Sequence, residues 1–167
     1  MKVLVTFLSR TGNTKKVAQA IFEAIKAKKE IEIKELNQVT KVDDYDLIFV
    51  GFPIEGYGPA KEAGDFLQNQ CQNKNIALFI THAAGETSKN IPPWLDKCKV
   101  AAAKANLKGM FNCQGELSEQ IADYMLKSKD EKLIAWAKER PSTIGQPDSA
   151  RLQRARLWAK EVLRSYS

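Results

Sequence analysis

The chain has one histidine and three cysteines in 167 residues, and this scarcity removes several kinds of chemistry at once. Cys71, Cys98 and Cys113 are widely spaced and odd in number, so they form neither a disulfide framework nor a C-x-x-C metal spacing. They read as buried or half-buried free thiols. With His82 as the sole imidazole, the chain lacks the ligands of an all-protein transition-metal site. No apolar run approaches the roughly 18–20 residues of a membrane span. The N-terminus opens on a strand-like run without the order of charge, apolar block and cleavage site that marks a signal peptide. The expectation is a cytoplasmic protein that does not enter a membrane.

The charge is not extreme in either sense. Lys and Arg number 26 against 20 Asp and Glu, for a net charge of +6. The basic residues are scattered, with clusters at Lys26-Ala27-Lys28-Lys29 and along the last helical segment. Solvated helix faces account for such a pattern. An acidic partner surface is the second reading, and a nucleic acid is not expected. A composition of 44% hydrophobic and 28% charged residues is that of a globular protein. At this length the expectation is a single domain over residues 1–167.

What the chain does have is an alternation of strand and helix patterns. Val3-Leu4-Val5-Thr6-Phe7-Leu8 is an apolar, β-branched run suited to a buried parallel strand over Lys2–Leu8. Val17, Ala20, Ile21, Ala24 and Ile25 then recur at helical spacing, which predicts a helix over Asn13–Ala27. Further strands are predicted at Glu30–Leu36, an alternating run suited to a sheet edge, and at Leu47–Gly51, Ile76–Thr81 and Gly109–Gln114. Helices are predicted at Ala60–Gln70 and from Pro92-Pro93 to Ala105. Short helices at Leu117–Ser128 and Lys132–Lys138 follow, then a hinge from Arg140 to Pro147. Asp148 or Ser149 caps a last helix carrying Leu152, Ala155, Ala159, Leu163 and Tyr166 on one side. The pattern predicts an α/β fold: a doubly wound, five-stranded parallel sheet, with residues 117–167 as extra helical covering.

In such sheets ligands sit beyond the carboxyl ends of the strands. Three loops of interest fall there. The first, Ser9-Arg10-Thr11-Gly12-Asn13-Thr14, offers three hydroxyls, a glycine and free amides at a helix N-terminus, which is the chemistry that holds a phosphate. The second, from Gly51 to Pro59, holds glycines, prolines and an aromatic residue; the third is Thr81-His82-Ala83-Ala84-Gly85-Glu86.

Ser9-x-Thr11-Gly12-x-Thr14, set between strand and helix at the start of the chain, resembles the phosphate loop of the flavodoxins. The resemblance implies the strand order 2-1-3-4-5 and FMN as cofactor. It implies that Ser9, Thr11 and Thr14 hydrogen-bond the FMN phosphate, with the amides of Arg10, Thr11, Gly12, Asn13 and Thr14 completing the cradle. Arg10 either reaches the phosphate or points to water. In the second loop, Pro53, Ile54, Glu55, Gly56, Tyr57 and Gly58 would wrap one side of the flavin ring. Tyr57 would be the aromatic face and Glu55-Gly56 the peptide that answers the proton at N5. In the third loop, Thr81, His82, Ala83, Ala84 and Gly85 would lie beneath the pyrimidine end. That loop lacks the tyrosine and the acidic dipeptide frequent in the family. His82 is either a hydrogen-bonded strand-end histidine or an imidazolium beside the flavin. Trp94, Trp136 and Trp158 read as packing anchors.

Three functions follow from the resemblance. The leading one is an FMN electron carrier that serves a redox partner protein with an acidic docking face. The second is an FMN-dependent NAD(P)H oxidoreductase acting on a quinone or other small acceptor. The third is a flavin-free interaction module of the same fold. A response regulator is excluded, because the first strand lacks the paired acidic residues that hold magnesium.

Overall fold

A computed structural model describes residues 1–28 and 30–166; Lys29 of the basic cluster lies outside the described residues. The strands are β1 (Lys2–Phe7), β2 (Glu30–Glu35), β3 (Leu47–Glu55), β4 (Gly58–Pro59), β5 (Asn75–His82) and β6 (Asn106–Gln114). The helices are α1 (Asn13–Ile25), α2 (Lys61–Gln70), α3 (Ile91–Ala101), α4 (Glu119–Leu126), α5 (Glu131–Lys138) and α6 (Ser149–Tyr166). Five strands pair in parallel in the order β2-β1-β3-β5-β6, and β4 folds back antiparallel on the end of β3. Counted without β4, this is the order 2-1-3-4-5, with additional helices at the C-terminal end.

Alternation along β1, β3 and β5 sorts the core into two layers. Leu4, Ile48, Val50, Phe52, Leu78 and Ile80 face α2 and α3, where Phe66, Leu67 and Cys98 meet them. Val3, Val5, Phe7, Phe49 and Phe79 face the other way, onto Val17, Ile21 and Ile25 of α1 and Ala155, Ala159 and Leu163 of α6. Because both faces are covered, these strands are apolar almost throughout instead of alternating. Burying each large side chain contributes about 1.5–3 kcal/mol. All three cysteines are buried and free, and burial pushes each thiol up to about 12.

The edge strand β2 alternates charged residues with Ile31 and Ile33, which pack on the core. Its Glu32 carboxylate accepts from Tyr45 Oη at 3.0 Å and pairs with Lys2 Nζ at 3.3 Å. Together with Lys34, chief among its partners, they lower the Glu32 pKa to about 2. A charged edge of this kind discourages pairing with other chains.

Several boundaries differ from those the sequence suggests. β3 runs on to Glu55, because Gly51, Phe52 and Pro53 pair with Phe79, Ile80 and Thr81 of β5. Pairing between β1 and β3 ends at Phe7 and Gly51, so Pro53 lies beyond that ladder, and its carbonyl accepts from Ala60 N at 3.2 Å. α3 stops at Ala101, four residues short of the expected end, and the chain turns through Ala102–Ala105. β6 begins at Asn106, earlier than expected, because a bulge opposite Ile76 and Ala77 takes in Lys108 and breaks the apolar pattern.

Of the C-terminal helices, α6 covers one face of the sheet, whereas α4 and α5 pack on each other. α6 packs on α1, as the apolar positions Ala155 and Ala159 require. α4 and α5 pair with each other around a small cluster of Leu117, Ala122, Met125 and Ala137. Ser118 and Asp130 cap the two helices through Ile121 N at 3.2 Å and Lys132 N at 2.9 Å.

Gly51 pairs with Phe79 of β5, whose ring lies over it where a side chain would stand. A Cβ there would stand 1.9 Å from Cε2 of Phe79. Gly51→Ala is therefore expected to destabilise the fold by at least about 1–3 kcal/mol. In a Phe79→Leu background the same substitution should cost clearly less. Urea denaturation of the four proteins tests this, and an equal cost in both backgrounds contradicts it.

Candidate functional site

The carboxyl ends of β1, β3 and β5 bring the three loops together. At the first, Gly12 takes a left-handed conformation (φ 98°) and precedes α1. Its Cβ direction meets nothing within 4 Å. The Ser9 hydroxyl accepts from the amides of Gly12 at 3.1 Å and Lys15 at 3.3 Å. Among the described residues the amides of Arg10, Thr11, Asn13 and Thr14 take no partner, and neither does the Thr11 hydroxyl. Unpaired donors at the positive end of a helix dipole, beside a position without a side chain, fit a phosphate group.

The other first-loop side chains are engaged within the protein. Thr14 Oγ1 lies 2.8 Å from Thr81 Oγ1, and both residues are buried. This bond ties the start of α1 to the end of β5. Asn13 donates to the Glu116 carbonyl at 2.9 Å, tying the same turn to the chain beyond β6. Arg10 takes neither of its expected courses. Its guanidinium binds Glu55 at 3.0 and 3.1 Å and Glu62 at 2.8 Å. Hydrogen bonds to Glu55 and then Glu62 raise its pKa further, and the Glu62 carboxyl is lowered by Arg10 in return. The side chain is thus a strap from the first loop to the second and to α2.

The second loop is a hairpin. Ile54 and Glu55 pair with Pro59 and Gly58, and Gly56 (φ 56°) and Tyr57 (φ 66°) form the turn. Positive φ at both central residues is the primed-turn geometry that suits strand twist, and at Tyr57 it is strained. The ring of Tyr57 compensates by docking. It lies 6.2 Å from Trp94 at the start of α3 and 6.0 Å from Trp136 on α5, and the two indoles are 6.1 Å apart, edge to face. Trp94 and Trp136 are packing anchors, but at the hairpin and not in the sheet core. Trp158 anchors α6 against Phe49 and Phe111, each 5.6 Å away.

In the third loop His82 is buried, with Nδ1 3.0 Å from the Ala84 carbonyl and Nε2 3.0 Å from the Asn112 amide. Burial lowers its pKa, against the two hydrogen bonds, which raise it. Near neutral pH the ring is therefore uncharged, with Nδ1–H donated to Ala84. The imidazolium considered from sequence is replaced by a neutral brace. Ala83 accepts from Gln114 Nε2 at 3.2 Å, and the Gly85 carbonyl accepts from Ser88 N at 2.9 Å. Glu86 binds Arg151 at 2.8 Å and Arg154 at 2.6 Å, fastening the loop to α6.

Sequence reasoning missed the strap at Arg10, the Glu86 pairs and the aromatic cluster. Pro92-Pro93-Trp94 carries one usable signal, since a helix opening after β5 begins at the carboxyl edge. Nothing in the local pattern around Trp136 points to the hairpin.

Residues 4–156 match the family model described as a flavodoxin domain. The chain belongs to this family. It is similar to a flavodoxin-like domain-containing protein, BilS, of Clostridioides difficile (strain CD3), 31% identical over 173 residues that take in 98% of this chain and 97% of that protein. Among solved structures, an archaeal flavodoxin superposes with a TM-score of 0.62 at 16% identity, covering 99% of both chains. Oxidised Flavodoxin 2 of Bacillus cereus gives 0.60 at 16% identity, again over 99% of both. A flavoprotein of Lactobacillus acidophilus NCFM, solved in complex with FMN, gives 0.52 at 22% identity over 66% of this chain and 92% of that one. Among the described residues no helix is long and apolar enough to cross a membrane, and no group of three His, Cys, Asp or Glu is placed to hold a metal.

The His82 environment predicts a pH dependence of stability. The unfolded chain carries an ordinary imidazole (6.5) and the folded chain one of lower pKa. Between the two values the unfolded state binds more protons. The stabilisation by His82 is therefore complete above the unfolded value and is lost as the pH falls through it. Unfolding free energy should decline as the pH falls below about 7 and on through the lower folded value, and His82→Gln should flatten that decline, since no other histidine titrates there. An unchanged slope in the variant contradicts the assignment.

Proposed function

We propose that the chain is an electron carrier that holds a flavin mononucleotide unit by its phosphate in the Ser9–Thr14 loop. The observation that carries this reading is the set of free amides and the Thr11 hydroxyl around Gly12, at the carboxyl edge of the sheet. The flavin supplies the redox chemistry when bound. The chain's own residues fix and position it. The amides of Arg10, Thr11, Asn13 and Thr14 and the Thr11 hydroxyl donate to phosphate oxygens, with Ser9 setting the loop's shape by accepting from Gly12. The hairpin residues Pro53, Ile54, Glu55, Gly56, Tyr57 and Gly58 flank the ring on one side, and Thr81, His82, Ala83, Ala84 and Gly85 on the other. His82, as a neutral brace, shapes the third loop and adds no positive charge.

The net charge of +6 favours a redox partner with an acidic docking face, and opposite charge chiefly speeds the encounter. Buried, reduced thiols agree with a cytoplasmic setting. The oxidoreductase reading drew on an open third loop, whereas Trp94 and Trp136 stand against the hairpin beside it. The unpaired donors argue against a module that has lost its ligand.

Titration with FMN and with riboflavin, which lacks the phosphate, tests the proposal. FMN should bind at micromolar concentration or tighter, with quenched emission, and riboflavin at least about 100-fold more weakly, the loss of more than one charge-assisted hydrogen bond. Thr11→Val should weaken FMN about tenfold and leave riboflavin unchanged. Equal affinity for the two flavins overturns the proposal. In the same preparation, NAD(P)H oxidation with a quinone should run no faster than with free FMN; faster turnover restores the enzyme reading.

A further inference from the structure

The basic charge of the chain is gathered on one layer. α1 and α6 pack against each other over one face of the sheet and carry seven basic and two acidic side chains between them, +5 of the net +6. α2 and α3, over the other face, carry three of each sign. Glu23 is bound to Lys26, and Glu86 of the third loop takes Arg151 and Arg154. Among the described residues Lys15, Lys16, Arg156, Lys160 and Arg164 have no ion-pair partner; Arg156 reaches only the uncharged Gln153, at 3.4 Å.

On α6 these charges work against the helix that bears them. Arg156 with Lys160, and Lys160 with Arg164, are like-charge pairs four residues apart, an arrangement that disfavours the helical state. A face serving only to keep the chain in solution would set acids at those spacings, and α6 has Glu161 alone. Negative charge presented from outside turns the repulsion into attraction. Gln153, Leu157, Lys160 and Arg164 follow one another along the exposed side at helical spacing, and Leu157, 52% exposed, gives this stripe an apolar centre within a charged surround. One leucine is too little apolar area to enter a lipid surface. The aromatic residues of the two helices, Phe22, Trp158 and Tyr166, are engaged within the protein, so no ring is left on which a nucleobase could stack. The occupant that fits is a protein with an acidic patch. Lys15 and Lys16 follow the first loop directly, and Arg154 holds Glu86 of the third at 2.6 Å, so a partner seated here stands beside both cofactor loops.

We propose that the α1–α6 layer is the surface on which an acidic partner protein docks, centred on Arg156, Lys160 and Arg164 around Leu157. The proposal rests on the electron-carrier reading above for what the partner exchanges, and the two fail separately. The probe is acidic plastocyanin. The native chain is compared with the triple variant Arg156→Glu, Lys160→Glu and Arg164→Glu, and with a control of equal charge outside the layer, Lys41→Glu, Lys99→Glu and Lys104→Glu. Binding is titrated at low ionic strength on the flavin-free chains. Electron transfer is followed on the FMN-loaded, photoreduced chains as loss of the blue copper absorbance, each Cu(II) taking one electron from the reduced flavin. In the α6 variant both affinity and rate should fall at least about tenfold, with FMN affinity unchanged, and in the control both should fall less than about threefold. Lys160→Gln alone removes both like-charge pairs, so it should weaken docking while the unfolding free energy does not fall. Equal losses in the α6 variant and the control overturn the proposal, and so does docking that survives Lys160→Gln and the triple variant. Capture of the native chain by phosphatidylglycerol vesicles or single-stranded DNA, lost in the α6 variant while plastocyanin is indifferent, assigns the face to another polyanion and also overturns it. If FMN fails to bind while the flavin-free chain docks plastocyanin through α6, the cofactor reading falls and the docking face stands.

Discussion

The unpaired backbone donors at the start of α1 are the constraint to which the rest of the site answers. Helix N-termini always leave amides without internal partners, and water or a capping side chain ordinarily meets them. Here Gly12 stands at the cap position with no side chain to offer, and Ser9 serves only the amides of Gly12 and Lys15. The turn is held at the edge of a sheet whose connections leave β1 and β3 toward opposite faces, which opens a crevice between them. A multiply charged anion gains most from donors fixed in this way, because they need no reorganisation to receive it.

Fixing the donors falls to contacts that cross between loops. Thr14 with Thr81, Asn13 with Glu116, Arg10 with Glu55 and Glu62, and Glu86 with Arg151 and Arg154 each join segments distant in sequence. The exposed ion pairs among them add little to global stability, typically under about 1 kcal/mol each. Their value is positional, since a site on loops keeps its geometry only when a second set of contacts supports it. The Tyr57, Trp94 and Trp136 rings do the same for the hairpin, and they draw α5, which shares a small core with α4, up to the sheet edge.

The parts of this architecture that were legible in the sequence are those written in local pattern. Val3–Phe7 and Ile76–Thr81 are buried on both faces, so their apolar runs announce parallel strands. The repeat from Val17 to Ile25 announces the helix against them. The first loop was legible because a short glycine turn between such elements has few other uses. The hairpin was not, because Gly51-Phe52-Pro53 reads as a breaker until Phe79–Thr81 is alongside to pair with it. Arg10 was ambiguous for the same reason: its partners lie 45 and 52 residues away. The charge state of His82 depended on a burial that no neighbouring residue signals.

The central claim is that backbone dipoles and the Thr11 hydroxyl hold a dianionic phosphate at Gly12. The most direct measurement is the ³¹P resonance of FMN bound to the protein, followed as a function of pH. A free phosphate monoester takes up its second proton near pH 6. Donors that favour the charged form depress that value, so the bound resonance should stay at its dianionic position from about pH 8 to about pH 5. A bound resonance that titrates as free FMN does would contradict the account.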